Sequence, residues 1–321
     1  MTSSIRRPAI LKCRLSNGRS LRCMVKRGEW VRIHCSAIAI NTTLGLRGGY
    51  RITPLSDDCC LIEYLENNEP LRNIISSKYD IDIPEVNKRA KDDELILDRD
   101  RSLEEFQMLC KKIPSYLLRS AIEENCASVE DFICKKKTFL QSICDMTVFS
   151  YLCGMSDRHL ENMMYNKQDG GACHVDCAAI LQDGGELPPA RLTRNILALC
   201  DTQVLESRLQ TKFLYLRENQ HILLSSISVA FKWMGQKYME KFNHTRNLIQ
   251  GKVLSHNKTI EALSKSKQPN KEQYIQMLEE IFEDFTQKNE YTVEEQVSSL
   301  LRQSTDLRIL SVTRSGWEPW I

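Results

Sequence analysis

Along the first quarter of the chain, apolar and polar residues alternate with a period of two. Leu11, Cys13 and Leu15 alternate with Lys12 and Arg14; Ser16-Asn17-Gly18-Arg19 interrupts, and Leu21, Cys23 and Val25 alternate again. An Asn-Gly pair between two alternating runs predicts a β-hairpin, because such tight turns take positive φ at their centre. Parity places Leu21, Cys23 and Val25 on one face and Met24 with Lys26 on the other, so Lys26 is expected to project away from the main apolar face of its strand. Residues 50–54 and 59–65 read as further strands, which makes residues 1–65 a small sheet domain.

Beyond residue 100 the period becomes helical. Ser102 with Glu105, and Ser128 with Asp131, have the spacing of a capping box, and Phe139, Leu140, Ile143 and Phe149 follow at helical spacing. Long helices return from Arg208 onward. Residues 76–101 and 251–271 are polar with little periodicity and are predicted to be loops or linkers. The Lys135-Lys136-Lys137 run is expected to be a solvated helix face. Between the helical blocks lies a non-helical island, residues 153–190, rich in glycine pairs and acidic turns. No internal repeat or low-complexity tract is present.

Composition narrows the class. A chain of 321 residues with 42% hydrophobic content buries a substantial core and accommodates two lobes and a tail. Lys and Arg number 44 against 42 Asp and Glu, so no charge excess marks nucleic acid or an anionic membrane as a direct partner. Thirteen irregularly spaced cysteines in a chain of this size point to reduced thiols and an intracellular compartment. There is no apolar run of signal-peptide or membrane-spanning kind, and a soluble protein is expected.

The island holds Gly154-Met155-Ser156-Asp157-Arg158-His159-Leu160-Glu161-Asn162, a short apolar run, a turn with Asp169-Gly170-Gly171, and Ala172-Cys173-His174-Val175-Asp176. Two apolar runs around an Asp-Gly turn predict a second hairpin. Asn162 opens its first strand and Asp176 closes the second, so pairing sets an amide oxygen beside a carboxylate at the open end. Two hard oxygen ligands suit Mg²⁺, which takes its remaining ligands from water and substrate phosphates. Asp157, in the loop entering the strand, is placed to meet a hydroxyl nucleophile. Asp, Asn and Asp in this order is the phosphotransfer arrangement of kinases. Cys173, His174 and Cys177 lack a second ligand pair at zinc-finger spacing and read as buried structural groups.

Asp157-Arg158-His159 followed by Asn162 resembles the catalytic loop of the phosphatidylinositol-3-kinase-like superfamily, in which the usual His-Arg-Asp order of protein kinases is reversed. The likeness extends in both directions. Residues 3–8 look like the phosphate-covering turn, with Ser4 at the nucleotide, and residues 25–29 look like the strand carrying the phosphate-binding lysine, Lys26. Residues 61–67 look like the hinge, whose backbone at Tyr64 and Leu65 holds adenine. Leu187 to Arg194 resembles the end of the activation loop and the helix after it. Tyr291-Thr292 with Glu295 opens a capped helix, and the chain finishes Gly316-Trp317-Glu318-Pro319-Trp320-Ile321, an ending similar to the FATC tail in the DNA-dependent branch of the phosphatidylinositol-3-kinase-related protein kinases. Lipid kinases of the superfamily lack that tail.

The resemblance implies a bilobal, protein-kinase-like α+β fold of phosphatidylinositol-3-kinase type. Its expected parts are an incomplete small β-rich lobe over residues 1–66, a larger helical lobe over 67–250, a helical linker over 251–290 and the FATC tail over 291–321. It implies a Ser/Thr protein kinase using ATP and Mg²⁺, with Asp157 and His159 catalytic, Ser4, Lys26, Tyr64 and Leu65 on the nucleotide, and Asn162 and Asp176 on the metal. Further implications are protein substrates, DNA-end-binding partner proteins, a nuclear location with the cytosol as alternative, and a role in double-strand break repair by non-homologous end joining. Trp317 and Trp320 are expected to dock beside the activation segment.

The chain departs from the family pattern at several positions. Trp30 and His34 stand where the lysine strand normally leads into acidic residues, and the Asp-Phe-Gly motif appears as Asp176-Cys177-Ala178. The activation loop is short, and the large helical scaffold that precedes such domains is expected to be missing. A pseudokinase or interaction module is therefore the rival reading, and a phosphoinositide kinase a third.

Overall fold

The computed structural model describes residues 9–28, 37–38, 40–42, 44–46, 49–56, 58–78, 99–155, 158–177, 180, 188–234, 236–254, 272, 275–276, 279–280 and 290–312. Ser4, Asp157, Trp30, His34, Ala178, Trp317 and Trp320 lie outside them, as do most of both expected linkers.

The predicted hairpin forms from β1 (Ala9–Arg14) and β2 (Ser20–Arg27), with Ala9 opposite Val25 and Arg14 opposite Ser20. Gly18 turns the chain at φ 79°, and the Asn17 side-chain oxygen accepts the Arg19 N–H at 3.1 Å. With β3 (Ile52–Ser56) and β4 (Cys59–Glu63) the sheet has the order β1-β2-β4-β3, all antiparallel. Residues 37–38 and 40–42, which the strand reading passed over, are helical, and Ala37 and Ile40 are buried in the core of the large lobe.

The structure corrects the predicted orientation of Lys26. Met24 pairs with Ile62 and Lys26 with Cys60, and this face packs around Tyr50, Cys60 and Ile62. The opposite face leaves Leu11 and Leu21 exposed. Lys26 therefore points toward the large lobe. Alternation tells which residues share a face, whereas the cover supplied by the rest of the chain decides which face is inside.

The large lobe begins with β5 (Asn68–Pro70) and α1 (Leu71–Ser76), followed by α2 (Arg99–Lys112), α3 (Leu117–Glu124) and α4 (Val129–Cys153). Ser128 caps α4 by accepting the Asp131 N–H at 3.2 Å, and the Asp131 carboxylate reaches back to the Ala127 N–H at 3.0 Å. The other predicted cap is corrected: α2 already includes Arg99, so Ser102 lies within the helix. Phe139, Leu140, Ile143 and Phe149 are all buried, making α4 the spine of the lobe. Each such side chain contributes about 1.5–3 kcal/mol by leaving water.

After α4 come β6 (Met163–Asn166) and β7 (Ala172–His174), which pair as the expected second hairpin, with β5 added along β6. Then follow α5 (Arg194–Leu197), α6 (Thr202–Glu218), α7 (Gln220–Met234) and α8 (Gln236–Leu254), so helix continues into the stretch predicted as linker. Asp145 on α4, 1% exposed, is held by Lys212 of α6 at 3.0 Å. A buried carboxylate needs such a partner, which couples the two helices.

The chain ends in α9 (Val293–Thr305) and α10 (Leu307–Val312). The predicted capping box is complete: Thr292 and Glu295 satisfy each other's backbone N–H groups. Arg217 of α6 donates to the Tyr291 carbonyl at 3.1 Å and to the Gln296 side chain at 3.0 Å, and Leu310 joins Phe106, Ile113 and Leu117 in a small cluster. No helix among the described residues is long and apolar enough to cross a membrane.

Lys135 is not part of a solvated face. It is buried, pairs with Asp131 at 3.0 Å, and lies beneath the β6–β7 turn. A Cβ on Gly170, which sits at φ 79°, would stand 2.5 Å from the Lys135 Cα. Replacing Gly170 with Ala therefore forces backbone apart as well as straining φ, and is expected to cost about 2–4 kcal/mol, read as a lower urea midpoint.

Candidate active site

α4 ends at Gly154 in left-handed conformation, its N–H returning to the Ser150 carbonyl. Glycine accepts this φ of 59° without Cβ strain, and the reversal directs the chain out of the helix into the motif loop. Arg158 is 3% exposed, and the Asn162 N–H closes a turn onto the His159 carbonyl at 2.9 Å. The Asn162 carbonyl accepts the Val175 N–H at 2.8 Å, one step beyond the first register pair of the hairpin, Met163 with His174. Asn162 and Asp176 thus meet at the open end.

Asp176 occupies a left-handed φ of 59°, unusual for a residue with a side chain. Its carboxylate stands 3.3 Å from the Lys26 ammonium across the gap between the lobes. Tyr50, 5% exposed, lies behind it, with its hydroxyl near the Asp176 backbone and the Cys177 thiol. Burial raises the Tyr50 hydroxyl well above its ordinary pKa, with nearby Cys177, Cys173 and Asp176 adding to the shift. The phenol stays neutral.

At the other end of the β2–β4 ladder, the Tyr64 N–H donates to the Arg22 carbonyl at 3.1 Å. The Arg22 guanidinium lies 4.7 Å over the Tyr64 ring and bonds Glu66 at 2.8 Å. Leu65 packs against the cluster of Tyr50, Cys60 and Ile62. Lys26 pairs with Cys60, so about 13 Å of extended strand separates its row from Tyr64.

The structure thus brings Lys26, Asn162 and Asp176 to one place, seats His159 in the loop beside them, and puts Tyr64 and Leu65 at the far end of the same ladder. Among the described residues no group of three or more His, Cys, Asp or Glu is arranged around a metal. The donor pair present, one amide oxygen and one carboxylate, fits a hard cation that draws most of its ligands from water and phosphate. A cavity of about 650 Å³, lined by Tyr50, Leu65, Thr138, Asn166 and Cys173 among others, shares Tyr50 and Leu65 with this region but has none of Lys26, Asn162 or Asp176 in its described lining.

Three supporting residues escaped the sequence reading of roles. Tyr50 was read only as part of a strand. Arg191, 3% exposed, donates to the Arg158 carbonyl at 3.0 Å and ties the segment before α5 to the motif loop. His174, 7% exposed, is buried near the Asn162 backbone, and burial, with the nearby Arg158, Arg191 and His159, lowers its pKa to about 3. Burial likewise pushes Cys173 up to about 12 and raises Cys177, leaving protonated, space-filling thiols. The buried reading of Cys173, His174 and Cys177 from the missing second ligand pair therefore holds, whereas the neighbours of His174 were not legible.

Residues 46–237 match the family model for phosphatidylinositol 3- and 4-kinases, and residues 290–321 that for the FATC domain. The serine/threonine-protein kinase MEC1 of Candida albicans is 22% identical, over 99% of this chain and 14% of its own length. The DNA-dependent protein kinase catalytic subunit of Xenopus laevis is 25% identical, over 85% of this chain and 8% of its own. Among solved structures, the FAT and kinase domain of CtTel1 superposes with a TM-score of 0.72 at 17% identity, covering 98% of this chain and 23% of that one. The chain spans only a small part of the relatives it matches.

A neutral His174 makes stability depend on pH. The unfolded imidazole takes up a proton near pH 6.5 and the folded one only near 3, so its contribution is complete above pH 6.5 and is lost as pH falls toward 3, at roughly 1.4 kcal/mol per unit. Denaturant titrations across this range are expected to show that slope, and His174→Gln to flatten it by about one proton's worth.

Proposed function

The chain belongs to the phosphatidylinositol 3- and 4-kinase family, and from that premise we propose that it transfers the γ-phosphate of ATP to Ser or Thr hydroxyls of proteins. The observation that carries this reading is the meeting of Lys26, Asn162 and Asp176 at the inner end of a cleft whose hinge lies a nucleotide's length away.

In this reading the backbone at Tyr64 and Leu65 holds adenine, and Ser4 covers the phosphates. Lys26 offers its ammonium to phosphate oxygens, while Asn162 and Asp176 would hold Mg²⁺. When bound, that ion neutralises phosphate charge and orients the γ-phosphoryl group. Asp157 accepts the proton of the substrate hydroxyl as its oxygen bonds to the γ-phosphorus, the bridge to the β-phosphate breaks, and ADP leaves. His159 contacts the transferring phosphoryl group, where negative charge is concentrated. The Val175 bond to the Asn162 carbonyl already sets Asp176 beside Asn162 before any ligand arrives.

The FATC-like tail favours protein over lipid substrates. Its ending, with the likeness to DNA-dependent protein kinase catalytic subunits, supports a nuclear role in non-homologous end joining alongside DNA-end-binding proteins. A second reading has one specific observation behind it: Cys177, buried against Tyr50, replaces the aromatic residue that normally follows the metal aspartate. A folded pseudokinase would keep this architecture without turnover.

Assay of the purified chain with ATP, Mg²⁺ and a Ser/Thr peptide separates the two. Transfer is expected to require Mg²⁺, to fall about 10²–10⁴-fold in Asp157→Asn, and to vanish in Asp176→Ala. Equal rates for Asp157→Asn would remove its role, and no transfer by the unaltered, folded chain would favour the pseudokinase.

A further inference from the structure

The segment that leads from the hinge into the large lobe touches the motif loop through contacts not used by the proposed chemistry. α1 starts immediately after β5, and its cap residue, Pro70, makes no side-chain capping bond. The first turn of any helix has N–H groups without acceptors inside the helix. Here the Arg72 N–H donates to the Leu160 carbonyl at 3.3 Å, and the Arg72 guanidinium is ion-paired with Glu161. Glu161 lies in sequence between Leu160 and Asn162.

α1 is anchored in the large lobe. Leu71 is fully buried and Ile74 nearly so, both within the core of the large lobe, and β5 runs in register with β6. On the loop side, Leu160 and Glu161 sit inside the turn that the Asn162 N–H closes onto the His159 carbonyl, with Leu160 buried in the same core and Glu161 reaching out to Arg72. The side chains of Arg72 and Glu161 are 24% and 31% exposed, so water screens the pair only in part.

We propose that Arg72 is a positioning residue for phosphoryl transfer: by holding Leu160 and Glu161 against the N-terminus of α1, it sets Asn162 beside Asp176 in fixed relation to the hinge. The inference rests on the kinase reading for its catalytic consequence, but the contact itself is testable without turnover. A partly exposed ion pair has a modest effect, so the expected changes are about fivefold and spare the fold.

The test compares the full chain with Arg72→Gln, Glu161→Gln and the exchanged pair Arg72→Glu with Glu161→Arg. Amide hydrogen exchange without nucleotide is measured along the chain, and phosphate transfer is followed against Mg²⁺ and ATP. Each single change is expected to speed exchange at residues 159–163 about fivefold, with α4 and β7 unchanged. It should also raise the Mg²⁺ needed for half-maximal transfer while leaving the KM for ATP nearly constant. The exchanged pair is expected to restore both readouts. Unchanged exchange in the single variants, acceleration spread evenly over the chain, or a folded exchanged pair that stays as impaired as the singles would overturn the proposal. Absence of transfer by the unaltered chain would instead strike the kinase reading, and exchange would still decide whether the pair holds the loop.

Discussion

One backbone hydrogen bond, from Val175 to the carbonyl of Asn162, closes the open end of the β6–β7 hairpin, and the cleft is built around it. Without it an amide and a carboxylate fourteen positions apart in sequence have no reason to share a point in space. With it, Asn162 and Asp176 are neighbours before any ligand arrives. His174 is buried beside the Asn162 backbone and Tyr50 beside that of Asp176, so the hairpin end is backed by packed side chains. The left-handed φ of Asp176 follows directly on the Val175 bond that closes the hairpin.

The rest of the molecule holds this hairpin still. α4 carries the chain to Gly154, β5 flanks β6, and Gly170 lets the hairpin turn lie directly on the backbone of Lys135. The C-terminal helix joins the same frame: Gln296 on α9 bonds Arg217 of α6 and the Lys252 carbonyl of α8, while the Lys252 ammonium donates to the Tyr151 carbonyl at 2.7 Å in the last turn of α4. A tail far along the chain is thereby linked to the helix that delivers the motif loop. The small lobe contributes through the Lys26–Asp176 contact, a charged pair reaching across the cleft. The cysteines around it are apolar filling, with burial holding their protons in place.

Local signals were legible in the sequence wherever the structure depends on neighbours along the chain. The Asn17-Gly18 hairpin, the cap at Ser128, the capping box of Thr292 with Glu295, and the pairing of β6 with β7 all follow from residues a few positions apart, so short-range sterics and hydrogen bonding decide them. The likeness of Asp157-Arg158-His159 with Asn162 to the family's catalytic loop was legible for the same reason, as a motif carried on one short stretch.

What only the tertiary structure decided is which surfaces are covered and what stands across from what. Parity grouped Lys26 with Met24 correctly but could not know that this face would be buried against Tyr50, because the cover comes from residues outside the strand. Lys135 looked like one of three solvated lysines until the hairpin turn lay over it. Tyr50, His174, Arg191 and Arg72 acquire their roles from partners far away in sequence, and a residue type alone does not announce its partner. Sequence by itself determined most of the elements, the family likeness and the order of the motif residues, since these rest on local bonding. Burial and long-range pairing set the geometry of the cleft, since they are properties of the whole packed chain.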